Sequence, residues 1–438
     1  MKACLDAEPR AFCALGAQQS AQAIQGVAPL VYAGRTCTYR LYQGMSEMNG
    51  HQGIGNDGGS SIVCTGMHSM PMPRLNSTDL LPNALDTIMD TQDPDCIVVL
   101  TGCLSELVGE DVGAEVRKRK AEGWPIAFVD LPGFAGNAWE GHERFMRALV
   151  DQCVEETFEH VDGLVNLWSS VPYLNPFWTG DLLELKRLIE GLGLQVNVLF
   201  GCGSSMDAWR RIPSACLNLV VSPWVGCDLA IHLRDRFGTP YLHWPVAPVG
   251  ATETRQFLEA LGKTLKVPAE RIQTFIAREE EVYRYHLEKG SELFIQDEPR
   301  FSQKFHCVGD AQTVLSLTHF LCGEMGLQLG AHFLVERPPA RHRDALSHMF
   351  QQGRSFAATE VCFADCSLDI APTLRAQSLT GERDLLFGSF YEKNLADELG
   401  MAFVPVSSPL GDGLTLDRTY LGYRGALRLL EDLWNAVL

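Results

Sequence analysis

Three cysteines in the first quarter of the chain each lie among glycines in loop-like settings. They are Cys37 in Tyr32-Ala-Gly-Arg-Thr-Cys, Cys64 in Ser60-Ser-Ile-Val-Cys-Thr-Gly, and Cys103 in Thr101-Gly-Cys-Leu-Ser-Glu-Leu-Val-Gly-Glu-Asp. Thiolates dispersed in this way, beside backbone without bulky side chains, suit an iron–sulfur cluster better than a disulfide, because such clusters are held by Cys thiolates. Three ligands from one polypeptide leave the site open to completion by a partner. Gly34, Gly66 and Gly102 lack a Cβ and would let backbone N–H groups approach the sulfurs, although plain turn geometry explains them equally well. His51 and His68 are candidates for proton relay or ligation, set against the more ordinary role of loop histidines satisfied locally.

The remaining chemistry-bearing residues read more blandly. Fourteen cysteines without an extracellular signature argue against a disulfide framework. Most are expected to be small core residues, since free Cys is among the most buried types. Cys96, Cys216 and Cys362 fall in strand patterns, while Cys153, Cys227, Cys307 and Cys322 fall in ordinary helix or strand contexts. Cys362 and Cys366 form a close pair, but no second pair at finger-like spacing accompanies them.

Composition narrows the class. The 438 residues are 46% hydrophobic and 21% charged, with a net charge of −18, as expected of a globular chain of about three domains. The acidic balance argues against nucleic-acid binding, which needs a basic surface. It is a solubility device or a docking face for a basic partner. No apolar run reaches the length of a membrane span, and the first residues do not read as a signal peptide, so a cytoplasmic location is expected.

Continuous apolar strands alternate with helical patterns, the signature of parallel βαβ units. Cys96-Ile-Val-Val-Leu-Thr ends at the Gly102-Cys103 turn, a helix follows from Asp111, and Pro125-Ile-Ala-Phe-Val-Asp is the next strand. Similar units recur at Gln195 to Gly203, Cys216 to Ser222 and Tyr241 to Val246. A third block runs from His306 through the helix Ala311 to Met325 and the strand His332-Phe-Leu-Val-Glu to a further strand at Leu385-Leu-Phe-Gly-Ser. The expectation is α/β, with three doubly wound Rossmann-like parallel-sheet domains over residues 1–165, 166–290 and 291–438. Such sheets bind ligands at the carboxyl ends of their strands, where Cys37 and Cys103 fall. Cys64 lies in a Gly/Met/Pro-rich segment, Gly50 to Asn76, which reads as a long irregular loop. The stripe from Thr419 to the C-terminus reads as a core-packing helix.

Taken in order, several motifs resemble component 1 of the nitrogenase superfamily, in particular its β-type subunits. They are Cys13-Ala-Leu-Gly-Ala with Ile24 to Cys37; Thr101-Gly-Cys-Leu-Ser-Glu-Leu-Val-Gly-Glu-Asp111; Leu131-Pro-Gly-Phe-Ala-Gly-Asn; Phe387 to Gly400; and Pro409-Leu-Gly-Asp with Tyr420-Leu-Gly-Tyr-Arg-Gly-Ala. The resemblance implies a component 1 fold, with Cys37, Cys64 and Cys103 as this chain's ligands to a P-cluster-type iron–sulfur centre, [8Fe-7S] or related, shared with an α-type subunit. It further implies an α2β2 assembly fed by an ATP-dependent iron–sulfur reductase. The family's extra Ser ligand near the Pro-Gly-Phe turn is replaced by Gly133. The strand Leu217-Asn-Leu-Val-Val-Ser-Pro-Trp has no Cys at its end, Cys227 comes later, and no matching late His exists. The catalytic metallocluster is therefore expected in the partner. Glu106, Glu110 and Asp111 are expected to cap the following helix and shape the cluster loop.

The Gly-rich segment between Cys37 and Cys64 departs from classical nitrogenase β chains and resembles nitrogenase-like reductases outside dinitrogen fixation. Methylthio-alkane reductase is the preferred subgroup, cleaving C–S bonds to release methanethiol and a hydrocarbon. The alternatives are a true nitrogenase β subunit, a non-catalytic metallocluster-assembly scaffold, a tetrapyrrole reductase, and a ligand-binding protein of tandem Rossmann-like domains with structural cysteines only.

Overall fold

The computed structural model describes residues 13–39, 62–67, 80–156, 158–296, 304–351, 361–364, 366–377, 384–411 and 413–437. His51, His68 and most of the Gly50 to Asn76 segment lie outside the described residues. Three sheets, each wholly parallel, organise the chain. In the first, β1 (Val27–Tyr32), β2 (Val63–Cys64), β3 (Cys96–Thr101) and β4 (Ile126–Val129) take the order β2-β1-β3-β4. In the second, β5 (Val161–Trp168), β6 (Gln195–Asn197), β7 (Ala215–Val221) and β8 (Tyr241–Trp244) take the order β6-β5-β7-β8. The third holds β9 (Lys304–Gly309), β10 (Gln328–Leu334), β11 (Val361–Phe363), β12 (Leu385–Gly388) and β13 (Ala402–Pro405) in the order β11-β10-β9-β12-β13.

The central strands show why this architecture forms. Every residue of β3 is buried, since helices cover both faces of the sheet and leave no solvated side to mark with polar residues. One apolar core lies on the face formed by Val31, Val98, Leu100 and Val129, and another on the opposite face under Leu30, Tyr32, Ile97 and Val99. A larger core joins the second and third sheets and takes in the C-terminal helix Gly422–Val437, which buries Tyr423, Ala426, Leu429, Leu430 and Leu433. The terminal stripe is thus core packing. No helix among the described residues is long and apolar enough to cross a membrane.

Two elements go beyond the strand and helix pattern expected. Among its described side chains the helix Ala269–Gln296 buries Ile272, Phe275, Ile276, Glu279 and Tyr283. Ion pairs from Arg187 to Glu279 and from Arg255 to Glu280 fix its charged flank. β13 is a four-residue strand on the sheet edge, paired only with β12. β5 runs across the expected 165/166 division, and the 290/291 position falls within the helix Ala269–Gln296.

Candidate iron–sulfur site

In the first sheet the order reverses between β1 and β3, so their carboxyl ends open a crevice of the kind where doubly wound sheets bind ligands. Three thiol-bearing turns rise from this end. Cys64 closes β2, opposite Val31 of β1. The turn after β1 carries Cys37, whose N–H donates to the Gly34 carbonyl at 3.1 Å. Cys103 opens the helix Cys103–Val108 directly after β3. The three expected thiols therefore share one end of one sheet.

A fourth joins them. Cys13 is held in extended backbone by an antiparallel bridge to Asn137, while Ala14 N–H donates to the Gly136 carbonyl at 3.0 Å. Its sulfur and that of Cys103 flank Gly133: a Cβ there would lie 3.0 Å from Cys103 Sγ and 3.3 Å from Cys13 Sγ. Burial, and then the charges of Cys13, Cys103 and Cys64, push the Cys37 thiol above its ordinary range. The Cys37 sulfur is thus near enough to each of the other three for their thiolates to disfavour its own. Cys13 and Cys37 are exposed, Cys64 and Cys103 partly so. The sequence signal for Cys13 lay in Cys13-Ala-Leu-Gly-Ala, whose small residues match the glycine flanks of the other three.

The glycines act differently from the expectation. Gly133 supplies the N–H that reaches a sulfur, donating to Cys103 Sγ at 3.1 Å. The Gly102 N–H is instead taken by Ser105 Oγ at 3.2 Å, and a Cβ on Gly102 would stand 2.7 Å from Ala33 Cβ. Gly102 therefore lets the β1 and β3 turns approach. Gly141 does the same for Cys13, because a Cβ there would stand 2.1 Å from the Ala14 carbonyl oxygen. Gly66 turns with φ +68 beside the Arg35 side chain, a conformation natural to glycine.

Of Glu106, Glu110 and Asp111, Asp111 takes the expected capping role. Asp111 accepts from Ala114 N–H at 2.8 Å and caps the next helix. Glu110 accepts from the Tyr32 hydroxyl at 2.5 Å, and Asp130 accepts from Thr101 Oγ1 at 2.9 Å. The Asp130 charge raises the Glu106 carboxyl above its usual range. Around the thiols, Tyr39, Leu107 and Phe134 stand 63%, 79% and 71% exposed, a concentration of bare apolar surface on the thiol-bearing segments.

The other cysteines among the described residues lie elsewhere. Cys227 opens the helix Cys227–Phe237, and burial raises its thiol to about 12. Cys96 and Cys153 hydrogen-bond to each other at the opposite end of β3. Cys362 lies on the edge strand β11, and Cys366 N–H is taken by Asp369. No group of three or more His, Cys, Asp or Glu among the described residues is placed to hold a single metal ion.

The fold and this site define the class. Residues 13–438 match the family described as Nitrogenase component 1 type Oxidoreductase, and the chain belongs to that oxidoreductase family. Among curated relatives, the B subunit of the light-independent protochlorophyllide reductase of Angiopteris evecta is 24% identical over 366 residues, covering 79% of this chain and 68% of the relative. Its counterpart from Prosthecochloris aestuarii is 26% identical, covering 81% of this chain and 66% of the relative. A solved structure titled "Nitrogenase Cp1 at pH 6.5" overlays with a TM-score of 0.77 at 19% identity, covering all of this chain and 94% of that one. The chain has the nitrogenase component 1 fold.

Proposed function

We propose that the chain is the β-type, electron-relaying subunit of a nitrogenase-like reductase. The observation that carries this is the convergence of Cys13, Cys37, Cys64 and Cys103 on one crevice, with the Gly133 N–H directed at a sulfur. The donor set fits an iron–sulfur centre, since soft thiolates select iron–sulfur or zinc chemistry and four of them stand at one end of this sheet. Cys13, Cys37, Cys64 and Cys103 would hold it, Cys13 and Cys103 from either side of Gly133 and Cys64 from the end of β2. A P-cluster-type centre bound there supplies one-electron storage and transfer at low potential.

The chain's own groups set the conditions. The Gly133 N–H stabilises negative charge on the Cys103 sulfur, and such hydrogen bonds tune a cluster's potential. Glycine at 133 keeps clear the volume a side chain would fill. Tyr39, Leu107 and Phe134 offer apolar surface beside the two exposed thiols, which supports covering of this face by an α-type subunit that completes the site. An ATP-dependent iron–sulfur reductase is the electron donor this assignment implies.

Where the carboxyl ends of the second and third sheets meet, Trp139, Asn175, Trp224, Asp310 and Glu336 leave a cavity of only about 10 Å3. The Trp224 indole N–H donates to Glu336 at 2.7 Å across it. This filled space supports placing the catalytic metallocluster in the partner. For substrate, the Gly-rich departure between Cys37 and Cys64 favours a methylthio-alkane, with reductive C–S cleavage. Tetrapyrrole reduction is the second candidate, favoured by the protochlorophyllide reductase chains among the relatives. Supplying the complex with ATP, an iron–sulfur reductase and each substrate class decides: hydrocarbon and methanethiol release supports the first, while reduction of the tetrapyrrole alone overturns it.

A further inference from the structure

At the amino end of the first sheet, opposite the thiol crevice, two further cysteines meet. Cys96 is the first residue of β3 and is buried. Cys153 is the last residue of the helix Ala138–Cys153 and is partly exposed. The backbone around them fixes their closeness. Gln152 closes on β4 as a strand partner would: its side-chain oxygen accepts from the Phe128 N–H at 2.9 Å, and its amide donates to the Phe128 carbonyl at 2.7 Å. β4 in turn pairs with β3, Ile97 lying opposite Ile126 and donating its N–H to the Pro125 carbonyl at 2.7 Å. Lys120 Nζ donates to the Gln152 carbonyl at 2.6 Å, and Arg236 donates to the Val150 and Val154 carbonyls at 2.9 and 3.0 Å. With the helix end held in this way, the two sulfurs stand within hydrogen-bonding reach of each other.

We propose that Cys96 and Cys153 are a redox-active dithiol that peroxides convert reversibly to a disulfide, with Cys153 as the attacking thiol and Cys96 as the resolving one. The roles follow from position. Cys153 alone of the two is open to a small oxidant, and a reactive thiol needs both access and thiolate character. The hydrogen bond from Cys96 lowers the Cys153 thiol below its ordinary range, with Lys120 and Arg210 adding to this against the opposing effect of burial. The same contact, together with burial, pushes Cys96 up, so the shared proton stays there. In the first step the Cys153 thiolate attacks one peroxide oxygen and the O–O bond breaks. The leaving oxygen takes up a proton, and Cys153 becomes a sulfenic acid. The Cys96 sulfur then attacks that sulfur, its own proton leaves with the hydroxyl as water, and the S–S bond forms. Two thiols thus give two electrons to one peroxide. The site is independent of the crevice thiols and of what they hold.

The test treats the full-length chain, purified anaerobically with its partner, with a graded series of hydrogen peroxide concentrations. Free thiols are then blocked with iodoacetamide, and the digested chain is read by mass spectrometry. Cys96 and Cys153 are expected in one disulfide-linked peptide pair, and dithiothreitol should return both as alkylated thiols. In Cys96→Ser, dimedone should label Cys153 as the trapped sulfenic acid; in Cys153→Ser, Cys96 should stay unlabelled. Absence of the linked pair at every peroxide dose, a link from either residue to a different cysteine, or dimedone on Cys96 in place of Cys153 would overturn the proposal. The wild-type peptide map decides even where a variant fails to fold. Iron measured on the same samples keeps the two readings apart: a linked pair in a complex without iron supports the dithiol and contradicts only the iron–sulfur assignment.

Discussion

At Gly133 the absence of a single carbon sets the chemistry of the crevice. A Cβ there would lie 3.0 Å from Cys103 Sγ and 3.3 Å from Cys13 Sγ, tighter than ordinary van der Waals contact allows. Gly133→Ala is therefore expected to lower iron per chain and shift the midpoint potential, read by anaerobic iron analysis and redox titration. Unchanged values would contradict a thiol-packing role. Cys13→Ala should lose iron as fully as Cys37→Ala and Cys103→Ala. Cys96→Ala should keep its iron and lose about 1 kcal/mol of stability, as an ordinary core substitution does. The sequence made Cys37, Cys64 and Cys103 legible through their glycine flanks. Cys13 carries only the small residues of Cys13-Ala-Leu-Gly-Ala as a local signal, and what places it is a bridge to Asn137, a contact between distant parts of the chain that local pattern does not encode. The same limit hid Gly133 as the donor to sulfur: its role depends on which turn folds over Cys103, and neighbouring residues do not reveal that.

Among the elements, close approach decides the geometry. The helix Ala138–Cys153 packs against the turn that carries Cys13, and Gly141 permits the contact. Gly141→Ala would drive a methyl into the Ala14 carbonyl oxygen, which is backbone and cannot rotate aside. It is expected to cost about 1–3 kcal/mol, as overpacking does, and to reduce iron loading together with thermal stability. A variant with native iron content and melting temperature would show that the Cys13 turn is not held by this helix. The strands were legible where runs such as Cys96 to Thr101 are continuously apolar, because a strand buried on both faces has no other composition open to it. β13 was not, since four residues at a sheet edge carry too little pattern. The helix Ala269–Gln296 was obscured by its charge: ion pairs to Arg187 and Arg255, not an apolar stripe alone, fix its flank.

Across the whole molecule, buried acids between the sheets give stability a distinctive pH dependence. Burial raises Glu336 to about 8, and Asp181 and Glu143 each to about 7. The folded state thus keeps protons that the unfolded chain releases above the ordinary carboxylate range, so their contribution is lost as pH rises through these values. His142 and His332 act in the opposite sense. Burial lowers them to about 3 and about 4, and their contribution is present above the ordinary value of 6.5 and lost as pH falls. Between pH 6.5 and 8 the three carboxylates outweigh the two histidines, whose opposing contribution fades as the unfolded imidazoles lose their protons. The melting temperature is expected to fall across that window, and Glu336→Gln should flatten the fall; a rising melting temperature would contradict the assignment. Family membership and the parallel-sheet plan were both readable from ordered motifs, whereas the filled space under Trp224 and Glu336 required three-dimensional packing to see.

The central claim is that this chain holds an iron–sulfur centre on its crevice thiols and relays electrons to a partner. Anaerobic iron and acid-labile sulfide analysis with EPR, on the full-length chain purified with its α-type partner, tests it most directly. Iron and sulfide are expected in the wild-type complex, and their loss in Cys103→Ala and Cys13→Ala. A complex without iron, or iron content equal in the wild type and both variants, would contradict it.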